Sequence, residues 1–273
     1  MYSLEDTASN DRPDHITVGL IHGDVPFDRN SPRDESFMDA YQETISTAME
    51  ADPDVLVGSE YAFFPHVPLT REEKDERLEQ MREISEEHPD TLLLPGTYVW
   101  QEGGKLHNTL PVFHKGEMVY SYDKQNSANG ENWVAEQHGL EYEAEKSRGV
   151  FEHRGLSLGL EVCYDHSCYE LSGKDVKDLD VQFLVANGKE FIENAAVVRS
   201  GGYHVRCDGD EDWYGGVEVN RRVGSDEFDE VSAKQERDLP NDMKLDLYDL
   251  DMQRPGTDKG GSSVAGFLSN IFH

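Results

Sequence analysis

An apolar run that stops abruptly at a cysteine constrains the fold of this chain more than any other stretch. Apolar residues alternate with others from Leu156 to Val162, and this alternation predicts a β-strand with one buried face. Cys163 follows directly, and residues 165–177 have the pattern of a helix. Open α/β sheets bind ligands at the carboxyl ends of their strands, where the N–H groups of the next turn favour negative charge. Cys163 is therefore a candidate nucleophile with a lowered thiol pKa, although a buried structural cysteine gives the same local pattern.

The charge balance limits both the partners and the setting of the protein. The 273 residues include 56 acidic and 25 basic side chains, which gives a formal net charge of −31 at pH 7. Such a chain repels nucleic-acid phosphates and anionic membrane surfaces, so we expect neither as a partner. Salt screens the self-repulsion of such a surface, and the composition therefore predicts a halophilic protein in a salt-rich cytoplasm. An ordinary acidic protein is the alternative interpretation.

The cysteine count and the apolar pattern indicate a single cytoplasmic domain. Cys163, Cys168 and Cys207 lack the spacing of a disulfide framework, which favours free thiols in a reducing compartment. No apolar run approaches the roughly 20 residues of a membrane span, and the N-terminus has no apolar secretory segment. We expect one domain over residues 15–252 and flexible tails at 1–14 and 253–273.

Helical and strand patterns alternate along the chain, with hairpins between them. Helices are predicted over residues 31–49, 71–87, 165–177 and 190–199, and strands over 15–21, 54–60, 92–94, 96–100, 108–113, 118–122, 149–154, 156–162, 181–186, 203–207, 213–222 and 245–250. Residues 124–147 are expected to form a loop with short helical pieces. This order indicates mixed α/β sheets packed as layers with helices outside.

Two further titratable residues are expected at strand ends, as Cys163 is. Glu60 ends a buried strand before an aromatic loop, and Lys124 follows the second arm of a hairpin. A solvated acid and a surface lysine are the plain interpretations of these two residues. An acid or base, a cation and a thiol at the ends of three strands together favour a catalytic site.

These positions, with their neighbours, resemble the nitrilase superfamily of carbon–nitrogen hydrolases. The matching blocks are Ser59-Glu60-Tyr61-Ala62-Phe63-Phe64-Pro65, Tyr122-Asp123-Lys124 and Gly159-Leu160-Glu161-Val162-Cys163-Tyr164-Asp165. Weaker similarity extends from about Ile16 to Leu250. The resemblance implies a four-layer α-β-β-α sandwich with the site at one end of the sheets. It also implies a homodimer joined through the helices predicted at 165–177 and 190–199.

The resemblance implies a hydrolytic role for each of the three residues, and their chemistry supports it. Cys163 attacks the carbon of an amide or nitrile and forms a covalent intermediate. Glu60 takes the thiol proton, passes it to the leaving nitrogen and later activates water. Lys124 and the backbone N–H of Tyr164 hold the developing oxyanion.

The resemblance also implies further site residues beyond this triad. A second glutamate usually follows the lysine by a few residues, and Glu131 is the candidate, with Glu136 as the alternative. Tyr61, Tyr164 and His166 are expected to contact the substrate, although His166 is also a plain polar residue for a helix start. We expect no cofactor and no metal ion, because the His and Cys pairs lack a second pair at ligand spacing.

The residues after Cys163 favour one branch of the superfamily. Cys163-Tyr164-Asp165 resembles the amidase and carbamoylase branches, whereas true nitrilases usually have Cys-Trp-Glu. The predicted function is therefore hydrolysis of a small amide or ureido compound with release of ammonia. A true nitrilase and a catalytically silent protein that binds a metabolite or a partner are the alternatives. The sequence departs from the family after Asp165, where Arg-Phe-Pro-Glu is often found, and it is shorter at 188–199 and 210–250.

Overall fold

The computed structural model describes residues 12–23, 35–64, 67–210 and 216–253. The strands are β1 (His15–His22), β2 (Val55–Val57), β3 (Leu92–Leu94), β4 (Tyr98–Glu102), β5 (Lys105–His114), β6 (Glu117–Asp123), β7 (Glu141–Tyr142), β8 (Val150–His153), β9 (Leu156–Val162), β10 (Leu179–Ala186), β11 (Val198–Asp208), β12 (Glu218–Arg222), β13 (Phe228–Glu230), β14 (Gln235–Asp238) and β15 (Lys244–Asp251). The helices are α1 (Glu35–Met49), α2 (Arg71–Glu87), α3 (Asn129–His138) and α4 (Tyr164–Ser167), with 3₁₀ turns at Ser172–Lys174 and Glu193–Ala195.

The strands form two sheets. The first has nine strands in the order β14-β15-β1-β2-β3-β5-β4, with β6 and β7 also paired to β5, and the second has six in the order β13-β12-β11-β10-β9-β8. In the second sheet β9, β10 and β11 run parallel, so their carboxyl ends lie at one edge. The Glu60 N–H just after β2 donates to the Ala186 carbonyl of β10 at 3.2 Å. The carboxyl ends of β2 and β9 are therefore at the same end of the molecule.

The core lies between the two sheets because their central strands are apolar. Val18, Leu20 and Val57 from the first sheet belong to the same buried cluster as Leu160 and Phe183 from the second. The opposite face of the first sheet packs against α1 and α2 in a separate cluster. The helix–sheet–sheet order confirms the predicted sandwich, and the fourth layer consists of α4 and the two 3₁₀ turns.

Each predicted strand overlaps an observed one, although residues 213–215 of the strand predicted at 213–222 lie outside the described residues, and β7, β13 and β14 were not predicted. The helix predicted at 71–87 is found over the same residues, and Thr70 caps it, because its side chain accepts the N–H of Glu73 while the Glu73 carboxylate accepts the N–H of Thr70. Residues 124–147, expected to be a loop with short helical pieces, contain the ten-residue α3, which is followed by Gly139 with a φ of 64°. A left-handed residue at this position is a common helix terminator.

Two of the predicted helices are wrong, and the backbone shows why. In place of a helix over 165–177 there is the four-residue α4 followed by a 3₁₀ turn. Tyr169 and Asp175 have φ values of 58° and 56°, and these left-handed residues interrupt the helical path. In place of a helix over 190–199 there is a 3₁₀ turn and the start of β11.

Several predictions concern residues at the margins of the described structure. Residues 31–34 of the helix predicted over 31–49, and nearly all of the two predicted tails, lie outside the described residues. Arg12, at the end of the first tail, donates to both carboxylate oxygens of Asp180, at 2.7 and 2.5 Å. Within the described part of the chain, no helix has the length and apolar character needed to cross a membrane.

Candidate active site

The predicted triad of Glu60, Lys124 and Cys163 lies together after the ends of three strands, and the backbone of each residue is held there by a hydrogen bond. The N–H groups of Glu60 and Cys163 donate to carbonyls of β10, at 3.2 and 2.9 Å, and the N–H of Lys124 donates to a carbonyl of β5 at 2.9 Å. All three side chains are buried. Because the anchoring carbonyls belong to central strands, the side chains are held on the rigid part of the fold.

The Lys124 ammonium is shared by two buried carboxylates. Nζ lies 2.9 Å from Oε1 of Glu60 and 2.7 Å from Oε1 of Glu131. Asn108 Nδ2 also donates to both of these oxygens, at 3.0 and 2.8 Å, and the Tyr61 hydroxyl donates to Glu131 at 2.6 Å. Oε2 of Glu131 accepts the N–H of Ala128 at 2.8 Å, which ties this carboxylate to the start of α3. The structure thus brings Glu131 to the lysine, whereas Glu136 lies exposed on the same helix.

The two carboxylates differ in proton affinity although they share one cation. Burial raises the pKa of Glu60 to about 7, against the attraction of Lys124 and with a further contribution from the negative charge of Glu131. Burial also acts to raise the pKa of Glu131, but attraction to Lys124 and hydrogen bonds from Lys124, Tyr61 and Ala128 outweigh it and lower the pKa to about 2. Separated pKa values of this kind divide roles between neighbouring acids. Glu131 is a permanent counterion, and Glu60 is able to exchange a proton near neutral pH.

The Glu60 carboxylate and the Cys163 thiol are neighbours in the site. Oε1 of Glu60 accepts hydrogen bonds from Lys124 and Asn108, whereas Oε2 accepts none from the described residues. Hydrogen bonding to the Cys163 thiol contributes to the pKa of Glu60, which places the thiol beside this carboxylate. The thiol proton therefore has an acceptor at hand.

The lowered thiol pKa expected for Cys163 is not found. Burial raises its pKa well above the ordinary value, the negative charge of Glu60 raises it further, and the attraction of Lys124 does not compensate. The helix after the elbow has only four residues, so it supplies little dipole. The resting residue is a thiol, and its activation depends on proton transfer to Glu60.

The elbow at Cys163 has the geometry of a sharp strand-to-helix turn. Its φ of 48° and ψ of −103° lie outside the populated backbone regions, and a strained residue of this kind costs about 1–3 kcal/mol. The hydrogen bond from its N–H to β10 holds it in this conformation. Tyr164 begins α4, where N–H groups have no partner within the helix and are available to an oxyanion.

A buried aspartate fastens the elbow to the segment after Lys124. Oδ1 of Asp165 accepts the backbone N–H and the side-chain amide of Asn126 at 2.7 and 2.9 Å. Oδ2 accepts the Tyr122 hydroxyl at 2.9 Å and the N–H of Gln125 at 3.0 Å. Burial raises the pKa of Asp165 to about 6 in spite of these four hydrogen bonds. Asp165 therefore fixes the position of the nucleophile relative to the lysine.

The cavity above Cys163 has a volume of about 300 Å³. The described residues that line it are Tyr61, Ala128, Asn129, Gly130, Cys163, Tyr164, Ser167, Asn187, Gly188 and Lys189. Two of the predicted substrate contacts, Tyr61 and Tyr164, are among them. His166 is not, because it is buried behind the elbow, with Nδ1 2.6 Å from Oε2 of Glu161 and Nε2 accepting the N–H of Ile192 at 3.0 Å. No group of three metal-ligating side chains occurs in the described portion of the chain.

Comparison by sequence finds no match for the chain, whereas comparison of the structure with solved structures finds many similar folds. No family model and no curated protein matches it by sequence. An amidase from Nesterenkonia sp. superposes with a TM-score of 0.63 at 18% identity, over 89% of this chain and 92% of its own. A Cys→Ala variant of the amidase from Nesterenkonia sp. AN1, in complex with butyramide, superposes at 0.64 with 17% identity, over 88% and 93%.

A third solved structure is described as a nitrilase-superfamily member. Saccharomyces cerevisiae Nit3, of branch 10 of the nitrilase superfamily, has a TM-score of 0.59 at 15% identity, over 87% of this chain and 90% of its own. The three superpositions each cover 87–89% of this chain. The chain therefore has the fold of the nitrilase superfamily.

Proposed function

We propose that the protein hydrolyses the carbon–nitrogen bond of a small amide through a Cys163 thioester and releases ammonia. The observation that carries the proposal is the division of roles around Lys124. Glu131 keeps its negative charge, while Glu60, with a pKa of about 7, lies beside a thiol whose pKa is raised. If Glu60 and Lys124 formed an ion pair with a purely structural role, a proton acceptor beside a buried thiol that lines an open cavity would not be required.

Acylation begins with transfer of the thiol proton. Oε2 of Glu60 accepts the proton as Sγ of Cys163 attacks the amide carbon, and the electron pair of the carbonyl moves to its oxygen. The Lys124 ammonium and the N–H of Tyr164 stabilise the oxyanion of the tetrahedral intermediate. Glu60 then gives its proton to the nitrogen, the carbon–nitrogen bond breaks, and ammonia leaves a thioester on Cys163.

Deacylation repeats these steps with water as the nucleophile. Glu60 takes a proton from water as the water oxygen attacks the thioester carbon, and the same donors hold the new oxyanion. The carbon–sulfur bond breaks, Sγ regains a proton from Glu60, and the carboxylic acid leaves. Glu60 alternates between its two protonation states in both halves, which suits a carboxylate with a pKa of about 7.

The size of the cavity favours a small acyl group. A volume of about 300 Å³ is at the lower end of the range for small-molecule sites. A superposing amidase variant is described in complex with butyramide, and another with the acetamide moiety of fluoroacetamide covalently added at the active-site cysteine. Those ligands belong to those proteins, and they guide the choice of probes here.

The test is ammonia release from a panel of acetamide, butyramide, a ureido acid and butyronitrile in molar KCl. We expect turnover of amides, none by Cys163→Ala, and a loss of several orders of magnitude in Glu60→Gln. Fluoroacetamide should add to Cys163 in the wild type but not to Cys168, as mass spectrometry of the digested protein will show. Turnover confined to the nitrile, or to the ureido acid, would move the assignment to that branch.

Failure of every substrate would favour the silent binding protein over the enzyme. Absence of any Cys163 adduct with fluoroacetamide would support the same conclusion independently. Circular dichroism of Cys163→Ala checks that the loss of activity does not come from unfolding.

A further inference from the structure

A lysine occupies the wall of the cavity in a chain dominated by acids. Lys189 follows Asn187 and Gly188 at the carboxyl end of β10, the same edge that carries Cys163. Among the described lining residues it has the only charged side chain. With 56 acidic and 25 basic residues in the sequence, an acid is the more frequent charged residue elsewhere. A cation at this position is therefore informative about what the cavity binds.

The position of Lys189 is fixed by a buried aspartate. Asp208 accepts the N–H of Gly188 at 2.7 Å and the N–H of Lys189 at 2.8 Å. Nη1 of Arg206 donates to the Lys189 carbonyl at 3.5 Å and to the Asp208 carboxylate at 3.4 Å. Both Arg206 and Asp208 are buried on β11. The backbone at Lys189 is thus anchored to a central strand, and the side chain extends from a rigid base.

The ammonium of Lys189 has no strong counterion among the described residues. Its side chain is only 16% exposed, and the one carboxylate within ion-pair distance is Glu190, at 3.9 Å and 60% exposed. A pair at this distance on the surface contributes little. The Asp208 carboxylate already accepts the N–H groups of Gly188, Lys189 and Asp210, so it is directed at the backbone. A partly buried ammonium in this situation is well placed to bind an anion from the cavity.

We propose that Lys189 binds a carboxylate at the far end of the substrate, so that the substrates are amides that carry a terminal carboxylate on a short aliphatic chain. This inference rests on the proposed amide hydrolysis. The reacting amide has to lie against Cys163, which lines the same cavity as Lys189, and the acyl chain then extends through that cavity. The net charge of −31 repels anions at long range. An anionic substrate therefore needs a direct ion-pair contact inside the cavity.

The experiment compares matched substrates that differ in one charge. Succinamate, glutaramate and adipamate are paired with 4-methylpentanamide, 5-methylhexanamide and 6-methylheptanamide, in which an isopropyl end replaces the carboxylate. In molar KCl we expect kcat/KM of the best acid to exceed that of its partner by about 10- to 100-fold, as for one charge-assisted hydrogen bond. Lys189→Met should bring this ratio close to one, mainly through KM, and Lys189→Arg should retain most of it.

The control is Lys244→Met, which removes the same charge from an exposed position on β15 and should keep the wild-type ratio. A wild-type ratio near one, or an equal loss for acids and neutral amides in Lys189→Met, would overturn the inference while leaving amide hydrolysis in place. If neither series is hydrolysed, the proposed function fails, and calorimetry decides the inference separately. Glutaramate should then bind Cys163→Ala and not Cys163→Ala/Lys189→Met, and equal binding to both would overturn it.

Discussion

Replacing Glu131 with glutamine tests whether the two carboxylates at Lys124 have different roles. In the wild type, the negative charge of Glu131 is one of the causes that raise the pKa of Glu60 to about 7. Glutamine keeps the shape of the side chain but removes that charge, so Lys124 is left with Glu60 as its only anionic partner in the triad. The pKa of Glu60, the proton acceptor, therefore falls, and its carboxylate becomes a weaker base.

The size of the effect follows from the geometry at Lys124. Both Oε1 atoms contact the same Nζ, at 2.9 Å for Glu60 and 2.7 Å for Glu131. Two charges roughly 5 Å apart at an effective dielectric constant of about 20 repel each other by about 3 kcal/mol, which corresponds to about two pH units. The acidic limb of the kcat/KM profile should therefore move from about pH 7 to about pH 5. We expect kcat at pH 8 to fall about 10- to 100-fold, because the base is weaker and Lys124 loses a positioning partner.

The assay is ammonia release from butyramide between pH 4.5 and 9 at constant ionic strength. Glu136→Gln is the matched control, since Glu136 is exposed on the same helix, and it should keep the wild-type profile. An acidic limb that stays near pH 7 in Glu131→Gln, or moves upward, would refute the assignment of Glu131 as the counterion. A displaced limb in Glu136→Gln would identify the other glutamate as the one that acts on Glu60.

Three further predictions concern stability and assembly. Asp165→Asn places an amide where four donors converge. The free energy of unfolding at pH 8, measured by urea titration, should therefore fall by about 2–4 kcal/mol. A loss below about 0.5 kcal/mol would contradict the role of Asp165 in holding the elbow. The net charge of −31 predicts that Tm rises between low-salt buffer and molar KCl as repulsion is screened, and a flat or falling Tm would remove the halophilic interpretation. We also propose that the protein is a homodimer, which light scattering in molar KCl should show, and a monomeric mass would argue against it.

Residues with a local pattern were predictable from the sequence. The strand before Glu60 is apolar and the strand before Cys163 alternates apolar residues with others, and the carboxyl end of such a strand is where a side chain reaches the edge of the sheet. The family resemblance, rather than a local pattern, implied Glu131 for the place beside Lys124, with Glu136 as the alternative, and the structure brings Glu131 and Lys124 together. Burial decided the proton affinities of Glu60 and Cys163, and no local pattern reveals burial. The thiol pKa of Cys163 was therefore expected in the wrong direction.

The hydrogen-bonding roles of Asn108 and Asp165 could not be predicted from the sequence, for a different reason. Asn108 lies in the middle of β5, where a polar residue is compatible with a solvated strand face, yet its amide joins two carboxylates that come from distant parts of the chain. Asp165 was noticed as part of the elbow block, but its four donors belong to Tyr122, Gln125 and Asn126. A hydrogen-bonding role of this kind exists only once the strands have been brought together, so the sequence had no signal for it.

The two helices that were wrongly predicted had a usable signal in the strands beneath them. In the parallel part of the second sheet, Glu161 and Gln182 are directed away from the apolar core, and both are buried. Buried carboxylates and amides need hydrogen-bond partners, and an amphipathic helix offers them an apolar face. They are satisfied by backbone N–H groups, since Glu161 accepts the N–H of Leu171 at 3.0 Å and Gln182 accepts that of Val197 at 2.8 Å. An N–H that bonds to a side chain below it is not available for an i→i−4 helical bond, so buried polar residues on the outer face of β9 and β10 favour an irregular covering layer.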